Sequence, residues 1–109
     1  NACACVNVTC EITFPGGVIP AAVYDEDLVD QVRKTIGEVL GEDKVAKDCG
    51  GGGEDFHYFK QKKPELHAAY IGVGTGVTPG LHDPRMTMNP ESLRNGVKVL
   101  ERLILNVVG

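Results

Sequence analysis

The chain has 109 residues, of which 42% are hydrophobic, 24% are charged and 6% are aromatic. These proportions are those of an ordinary globular protein, and they exclude the collagen-like and intrinsically disordered classes. The chain contains 11 basic and 15 acidic residues, so its net charge is −4. Because lysine and arginine form no cluster, we expect no nucleic-acid partner. No apolar run approaches the roughly 20 residues of a membrane-spanning helix, so we expect no membrane partner either.

The first residues carry no targeting pattern. The chain begins Asn1-Ala2-Cys3, without a basic segment or the apolar core of a signal peptide. We therefore interpret it as a piece of a longer polypeptide. The cysteines contain no Cys-x-x-Cys pair, which argues against a zinc ribbon. We expect reduced thiols that pack as small apolar groups in a reducing compartment, and hence a cytoplasmic protein.

Residues 2–14 alternate apolar and polar side chains, which predicts a long strand with one covered face. On such a strand Cys3 and Cys5 point to one face and Cys10 to the other. Neighbours on one face are roughly 7 Å apart, which is too far for an easy disulfide. The strand is followed by Pro15-Gly16-Gly17 and Pro20, which predict a domain boundary or hinge.

Residues 26–40 have the spacing of an amphipathic helix. Asp25 or Asp27 can cap its start, and Gly41 can end it. Its apolar stripe consists of Leu28, Val29, Val32, Ile36, Val39 and Leu40.

A connector over 42–53 ends in four glycines, and a short helix over 54–61 follows with Phe56 and Phe59 facing inward. His57 and His67 are expected at the surface. The glycine-bounded apolar run 68–74 predicts a buried central strand.

Residues 75–88 form a predicted loop rich in Gly, Pro and Thr, and a helix follows with Asn89 as N-cap and Pro90 at its first position. The order strand, helix, short helix, strand, helix predicts a mixed α/β fold. The buried face of the last helix is predicted to contain Leu93, Val97, Leu100, Ile104 and Val107.

Two places could carry chemistry. His82 follows the predicted central strand and is either a metal ligand, a general base or a solvated loop residue. The glycine run 50–53 leads into a helix start, where backbone N–H groups can bind an anion, or it is a flexible linker. Glu54 and Asp55 could bind a metal or hold a neighbouring loop, although acidic residues there are often helix caps. Since a hydrolytic metal site needs three or more ligands, most of such a site would lie outside these residues.

Three stretches, in this order and spacing, resemble the C-terminal end of the M20 family of metallo-aminoacylases and carboxypeptidases. The similarity is greatest to its hippurate hydrolase and N-acyl-amino-acid amidohydrolase branch. The stretches are Gly52-Gly53-Glu54-Asp55-Phe56, Tyr70-Ile71-Gly72-Val73-Gly74, and Leu81-His82-Asp83-Pro84-Arg85 with the following Glu91-Ser92-Leu93.

This resemblance implies a fold and a domain boundary. Residues 1–20 would be the last strand of an inserted lid domain that mediates dimers, so a homo-oligomer is expected. Residues 21–109 would be the C-terminal part of a mixed-sheet, zinc-peptidase-like catalytic domain.

The resemblance also implies a reaction: two divalent metal ions (Zn, Mn, Co or Ni) activate a water that attacks the amide of an N-acyl amino acid or peptide-like substrate. His82 would be a metal ligand, and Gly52 and Gly53 would lie near the substrate. Glu54 and Asp55 are candidates for contacting a metal ligand rather than the metal itself.

Three positions depart from the family pattern: Gly53 replaces Ser or Thr, Asp83 replaces Ser, and Tyr24 replaces Asn. The catalytic Glu and the other ligands belong to a part of the family that this chain does not contain, so we expect the chain alone to be inactive. The alternatives are a non-catalytic or degenerate fragment that serves assembly or ligand binding, and a small metal-binding protein that uses its cysteines.

Overall fold

A computed structural model describes residues 3–14, 16–47 and 52–109. Within them the chain forms the α-helices α1 (Glu26–Leu40), α2 (His57–Lys62) and α3 (Leu93–Val108). Three 3-10 turns accompany these helices, at Ala4–Val6, Glu42–Lys44 and Pro90–Ser92.

Helix α1 has the predicted bounds. Glu26 and Asp27 place negative charge in its first turn, which the helix dipole favours. Gly41 ends the helix with a φ of 107°, and its N–H donates to the Gly37 carbonyl at 2.9 Å. Asp25 occupies the N-cap position, but its side chain does not cap the helix.

The core lies where α1 packs against α3. Val32 of α1 and Val99 of α3 are 6% and 4% exposed. Between the helices, the Thr35 hydroxyl donates to the Gln31 carbonyl at 2.8 Å and accepts from the Asn106 amide at 3.4 Å. This buried hydroxyl is therefore satisfied, as burial of a polar group requires.

The prediction of a mixed α/β fold is wrong for the described residues, which contain no strand. Residues 3–14 include a 3-10 turn and are otherwise irregular, and 68–74 are irregular as well. The extended bridge that does form pairs Thr78 with Thr87. The physical reason is that alternation or apolarity shows which faces could be buried, whereas a strand exists only where a neighbour completes its hydrogen-bond ladder.

The predicted buried face of α3 is also wrong. Its apolar stripe is between 44% and 64% exposed, at Leu93, Val97, Leu100, Ile104 and Val107. A neighbouring face of α3, on which Val99 is buried and Gly96 and Leu103 are half-buried, is covered instead: Asn106 hydrogen-bonds to Thr35 of α1, and the Val73 side chain lies against Gly96. The stripe is apolar as predicted, but the described residues supply nothing that covers it.

The molecule is extended. Its radius of gyration is 19.4 Å, whereas a compact chain of this length has about 13 Å. Its accessible surface is 8971 Å², against roughly 5,900 Å² for a compact monomer of this mass. The chain therefore buries much less apolar surface than a self-contained domain of its size.

Candidate functional site

The loop that carries His82 is closed at its base. Thr78 and Thr87 exchange two backbone hydrogen bonds, of 3.1 and 2.9 Å, and the Asn89 N–H donates to the Thr75 carbonyl at 2.8 Å. His82 lies in the turn between these anchors, with an exposed side chain and a φ of 67°. Positive φ is uncommon outside glycine, although His adopts it more readily than most residues. The loop thus presents the imidazole to solvent.

Asp83, the neighbour of His82, forms hydrogen bonds with Arg85 in the same turn. Its carboxylate accepts from the Arg85 backbone N–H at 2.8 Å and from the Arg85 guanidinium at 3.2 Å. These hydrogen bonds lower the pKa of Asp83 because they favour the charged form. Asp83, where the resembled family has Ser, therefore shapes the turn that carries His82.

The glycine turn lies beside the predicted hinge. A Cβ atom on Gly53 would come within 2.6 Å of the Ile19 side chain, whereas a Cβ atom on Gly52 would meet nothing within 4 Å. Nearby, the Tyr58 hydroxyl donates to the Val18 carbonyl. The close approach of Ile19 gives a physical reason for Gly rather than Ser at position 53. The remainder of the predicted glycine run, Gly50 and Gly51, lies outside the described residues.

Glu54 and Asp55 are both exposed, and their backbone carbonyls accept from His57 and Tyr58 at 3.1 and 3.0 Å. They form a turn that precedes α2, which begins three residues later than predicted. The expectation that Phe59 faces inward is wrong, because it is 63% exposed.

His57, expected at the surface, is 5% exposed. Its ring lies 5.6 Å from that of Tyr24, 6.1 Å from that of Phe56 and 6.0 Å from that of Tyr70. His67 is exposed, as expected. The burial of His57 depends on aromatic residues from three separate segments, which the helical position of His57 alone could not indicate.

Asp25 joins three segments, and sequence reasoning missed this role. Its carboxylate accepts from the Lys60 ammonium at 2.6 and 2.7 Å and from the Ala68 N–H at 2.7 Å. The Asp25 N–H in turn donates to the Ala68 carbonyl at 3.0 Å. These contacts, the Lys60 hydrogen bond first, lower the pKa of Asp25. Asp25 thereby fixes the start of α1 against α2 and the segment that follows it.

Two open grooves flank α2 and α1. One, of about 270 Å³, includes Asp55, Tyr58 and Phe59 in its lining. The other, of about 470 Å³, includes Tyr24, Glu26 and Arg33. Neither lining includes His82, Gly52 or Gly53.

The candidate residues do not converge into one site. Among the described residues, no hydrogen bond, ion pair or ring contact joins the His82 loop to the Gly52–Asp55 turn. Nor does any group of three His, Cys, Asp or Glu side chains in this part of the chain have the arrangement to hold a metal ion. A catalytic zinc site uses three protein ligands and an open position. The described residues therefore do not fit a metal centre of their own, and His82 can offer a single imidazole ligand.

Comparison with known proteins places the chain in a family. The model of peptidase family M20/M25/M40 matches residues 2–106. The chain belongs to this family. Membership confirms the resemblance at the family level, and it identifies the chain with a family of metal-dependent hydrolases.

No curated protein and no solved structure gives a significant match to this M20-family chain. A separate test concerns membranes: within the described ranges, no helix has both the length and the apolar character needed to cross a bilayer.

Proposed function

We propose that this M20-family protein hydrolyses the amide bond of N-acyl amino acids or peptide-like substrates, with two divalent metal ions of the Zn, Mn, Co or Ni type. The observation that carries the proposal is the family match over residues 2–106, which includes the loop presenting His82. When bound, such ions polarise a carbonyl and lower the pKa of water.

In this proposal the chain supplies one part of the active site. His82 contributes one ligand from a loop that is closed at its base. Gly52 and Gly53 lie beside the acyl-amino-acid end of the substrate, where the unobstructed Cα of Gly52 allows close approach. Glu54 and Asp55 contact a residue that binds the metal, rather than the metal itself.

We also propose a boundary near residue 20, with residues 1–20 belonging to the dimerising lid unit and 21–109 to the catalytic unit. The large exposed apolar surface supports association with a second copy, because uncovered apolar area favours burial.

The first test uses the 109-residue chain. We expect no hydrolysis of N-acyl amino acids or dipeptides with added Mn²⁺ or Zn²⁺, because one imidazole does not hold a catalytic metal ion. Released amino acid is measured with an amine-reactive dye. Metal-dependent turnover by this chain would contradict the proposed division of the active site.

The second test uses the gene product that carries this sequence. We expect metal-dependent hydrolysis that falls by at least about 100-fold in His82→Asn, since loss of a ligand weakens metal binding. His67→Asn is the matched control, because His67 is an exposed histidine away from the loop. Equal activity of the two variants would exclude His82 as a ligand.

A second candidate is a non-catalytic module for assembly or ligand binding. It is favoured by the three departures from the family pattern, at Gly53, Asp83 and Tyr24. The discriminating measurement is the metal content of the purified gene product. Stoichiometric divalent metal would support the hydrolase, and its absence together with no turnover would support the module.

A further inference from the structure

The hinge segment (residues 16–20) lies against α2 and the turn that precedes it. The segment has no regular secondary structure, yet two of its residues are fixed at defined points. The Tyr58 hydroxyl donates a hydrogen bond to the Val18 carbonyl. At the next residue, the Ile19 side chain lies so close to Gly53 that a Cβ atom there would come within 2.6 Å of it. The hinge segment is therefore held at two consecutive residues.

These two contacts are coupled through the backbone. The Val18 carbonyl belongs to the peptide unit that leads to the Cα atom of Ile19, and this unit is planar. A hydrogen bond to that carbonyl thus limits where the Ile19 side chain can lie. On the other side, Tyr58 closes the turn that follows Gly53, because its N–H donates to the Asp55 carbonyl at 3.0 Å. Loosening the hydroxyl contact therefore loosens the contact of Ile19 as well.

Gly17 leaves room for the Tyr58 hydroxyl. A Cβ atom on Gly17 would lie 3.3 Å from the hydroxyl oxygen, whereas one on Gly16 would meet nothing within 4 Å. The side chains of Val18 and Ile19 are 69% and 55% exposed. Since so little of their apolar surface is buried, burial by itself holds the segment weakly. The hydrogen bond of Tyr58 is therefore important for fixing its position.

We propose that Tyr58 is a positioning residue, which holds the hinge segment against the glycine turn (residues 52–55) and keeps that turn in place for the substrate. This role rests on the proposed function, in which Gly52 and Gly53 lie beside the substrate. Ile19 covers Gly53 and leaves Gly52 open, so the substrate has one side from which to approach. In this role Tyr58 touches neither the substrate nor the metal ions, and it acts on substrate binding rather than on the chemical step.

One experiment measures the contact in the 109-residue chain by NMR spectroscopy. In the wild type we expect a nuclear Overhauser effect between the Ile19 methyl protons and the Gly53 Cα protons. Tyr58→Phe should reduce it at least about twofold, because loss of one hydrogen bond shifts an equilibrium by roughly two- to tenfold. Tyr70→Phe, the matched control, removes a hydroxyl from a ring that contacts His57 and should leave the signal unchanged. An unchanged signal in Tyr58→Phe would overturn the proposal.

A second pair of variants acts from the hinge side. Gly17→Ala should weaken the same signal, because its Cβ atom crowds the Tyr58 hydroxyl, whereas Gly16→Ala adds a methyl group in open space and should not. In the double variant Gly17→Ala/Tyr58→Phe the hydroxyl is gone, so Gly17→Ala should add no further loss. Additive losses would mean that the two residues act independently, and they would overturn the coupling.

The last experiment uses the gene product that carries this sequence, with the best substrate from a set of N-acetyl and N-benzoyl amino acids. We expect Tyr58→Phe to raise KM about three- to tenfold and to change kcat less than about twofold, since binding is what it weakens. A merely structural role would lower the amount of active enzyme, and hence kcat, at unchanged KM. Tyr70→Phe should keep both constants.

The outcomes separate this role from the proposed function. An active wild type with the same KM in Tyr58→Phe would overturn the positioning role and leave the hydrolase intact. A wild type without metal-dependent turnover would contradict the proposed function, and the NMR signal would then decide whether Tyr58 holds the hinge segment.

Discussion

At the scale of single residues, the ion pair between Asp25 and Lys60 is a prominent tertiary contact. Their side chains are only 22% and 17% exposed, so water screens them less than a surface pair. The Lys60 ammonium also donates to the Leu66 carbonyl at 2.8 Å. One carboxylate thus organises the start of α1, the helix α2 and the segment at Ala68.

We predict that Asp25→Asn destabilises the fold more than Asp27→Asn does. Asp25→Asn removes the charge that Lys60 faces and leaves its ammonium partly buried without a counter-charge. Asp27 is an exposed residue of the same helix and provides the matched control. Urea unfolding followed by circular dichroism measures the effect, and equal midpoints for the two variants would contradict the assigned role.

The same carboxylate predicts a pH dependence. The pKa of Asp25 is lowered in the folded chain, first by the Lys60 hydrogen bond and then by the Ala68 N–H. Its contribution to stability is therefore present above the ordinary aspartate pKa of about 4, and it is lost as the pH falls through the folded value. We expect the urea midpoint to fall less steeply with acidification in Asp25→Asn than in the wild type. Parallel pH curves would refute this linkage.

At the scale of elements, the two described glycines of the turn before α2 are not equivalent. We predict that Gly53→Ala destabilises the chain by about 1 kcal/mol, because its Cβ would displace Ile19. Gly52→Ala, where the Cβ meets open space, should have little effect. Thermal unfolding measures both, and adding Ile19→Ala to Gly53→Ala should recover the loss. A failure to recover would place the cause elsewhere than Ile19.

The pairing of α1 with α3 gives a second prediction at this scale. Val99→Ala should lower the free energy of unfolding by about 2 kcal/mol, since it removes buried methyl groups and leaves a cavity. Val97, on the same helix, is 64% exposed. Val97→Ala should therefore cost less than about 0.5 kcal/mol. The opposite ranking in urea unfolding would mean that another face of α3 packs on α1.

At the scale of the whole molecule, the main feature is the amount of apolar surface that no other element covers. The stripe of α3 is exposed, and so are Val6, Val8, Ile12 and Phe14 of the N-terminal segment, which is unusual for a self-contained domain. This explains why local patterns and observed burial disagree here. The patterns record which faces are suited to burial, and burial itself needs a covering element.

We predict that this surface drives association between copies. Light scattering after size-exclusion chromatography should show a mass that rises with protein concentration. Ile104→Lys, which places a charge on the exposed α3 stripe, should weaken association. Asn95→Lys adds the same charge to the same helix away from the stripe and is the control. A concentration-independent monomer mass for the wild type would exclude the second copy as the covering element.

The features that could be predicted from the sequence are those that depend on interactions between residues close together in the chain. The bounds of α1, its apolar stripe, its Gly41 end and the Asn89 cap were all predictable, because each depends on residues within one or two helical turns. The His82 loop was predictable as a loop for the same reason, and the three motifs indicated the family of the chain.

Only the tertiary structure decided the rest. The burial of His57 and the contacts of Asp25 arise between side chains that local periodicity does not relate. The predicted strands failed because a strand's hydrogen bonds belong to its neighbour, which no local pattern specifies. The sequence by itself thus determined the helices and the family, whereas tertiary packing decided which surfaces are covered, since burial is a property of two elements in contact.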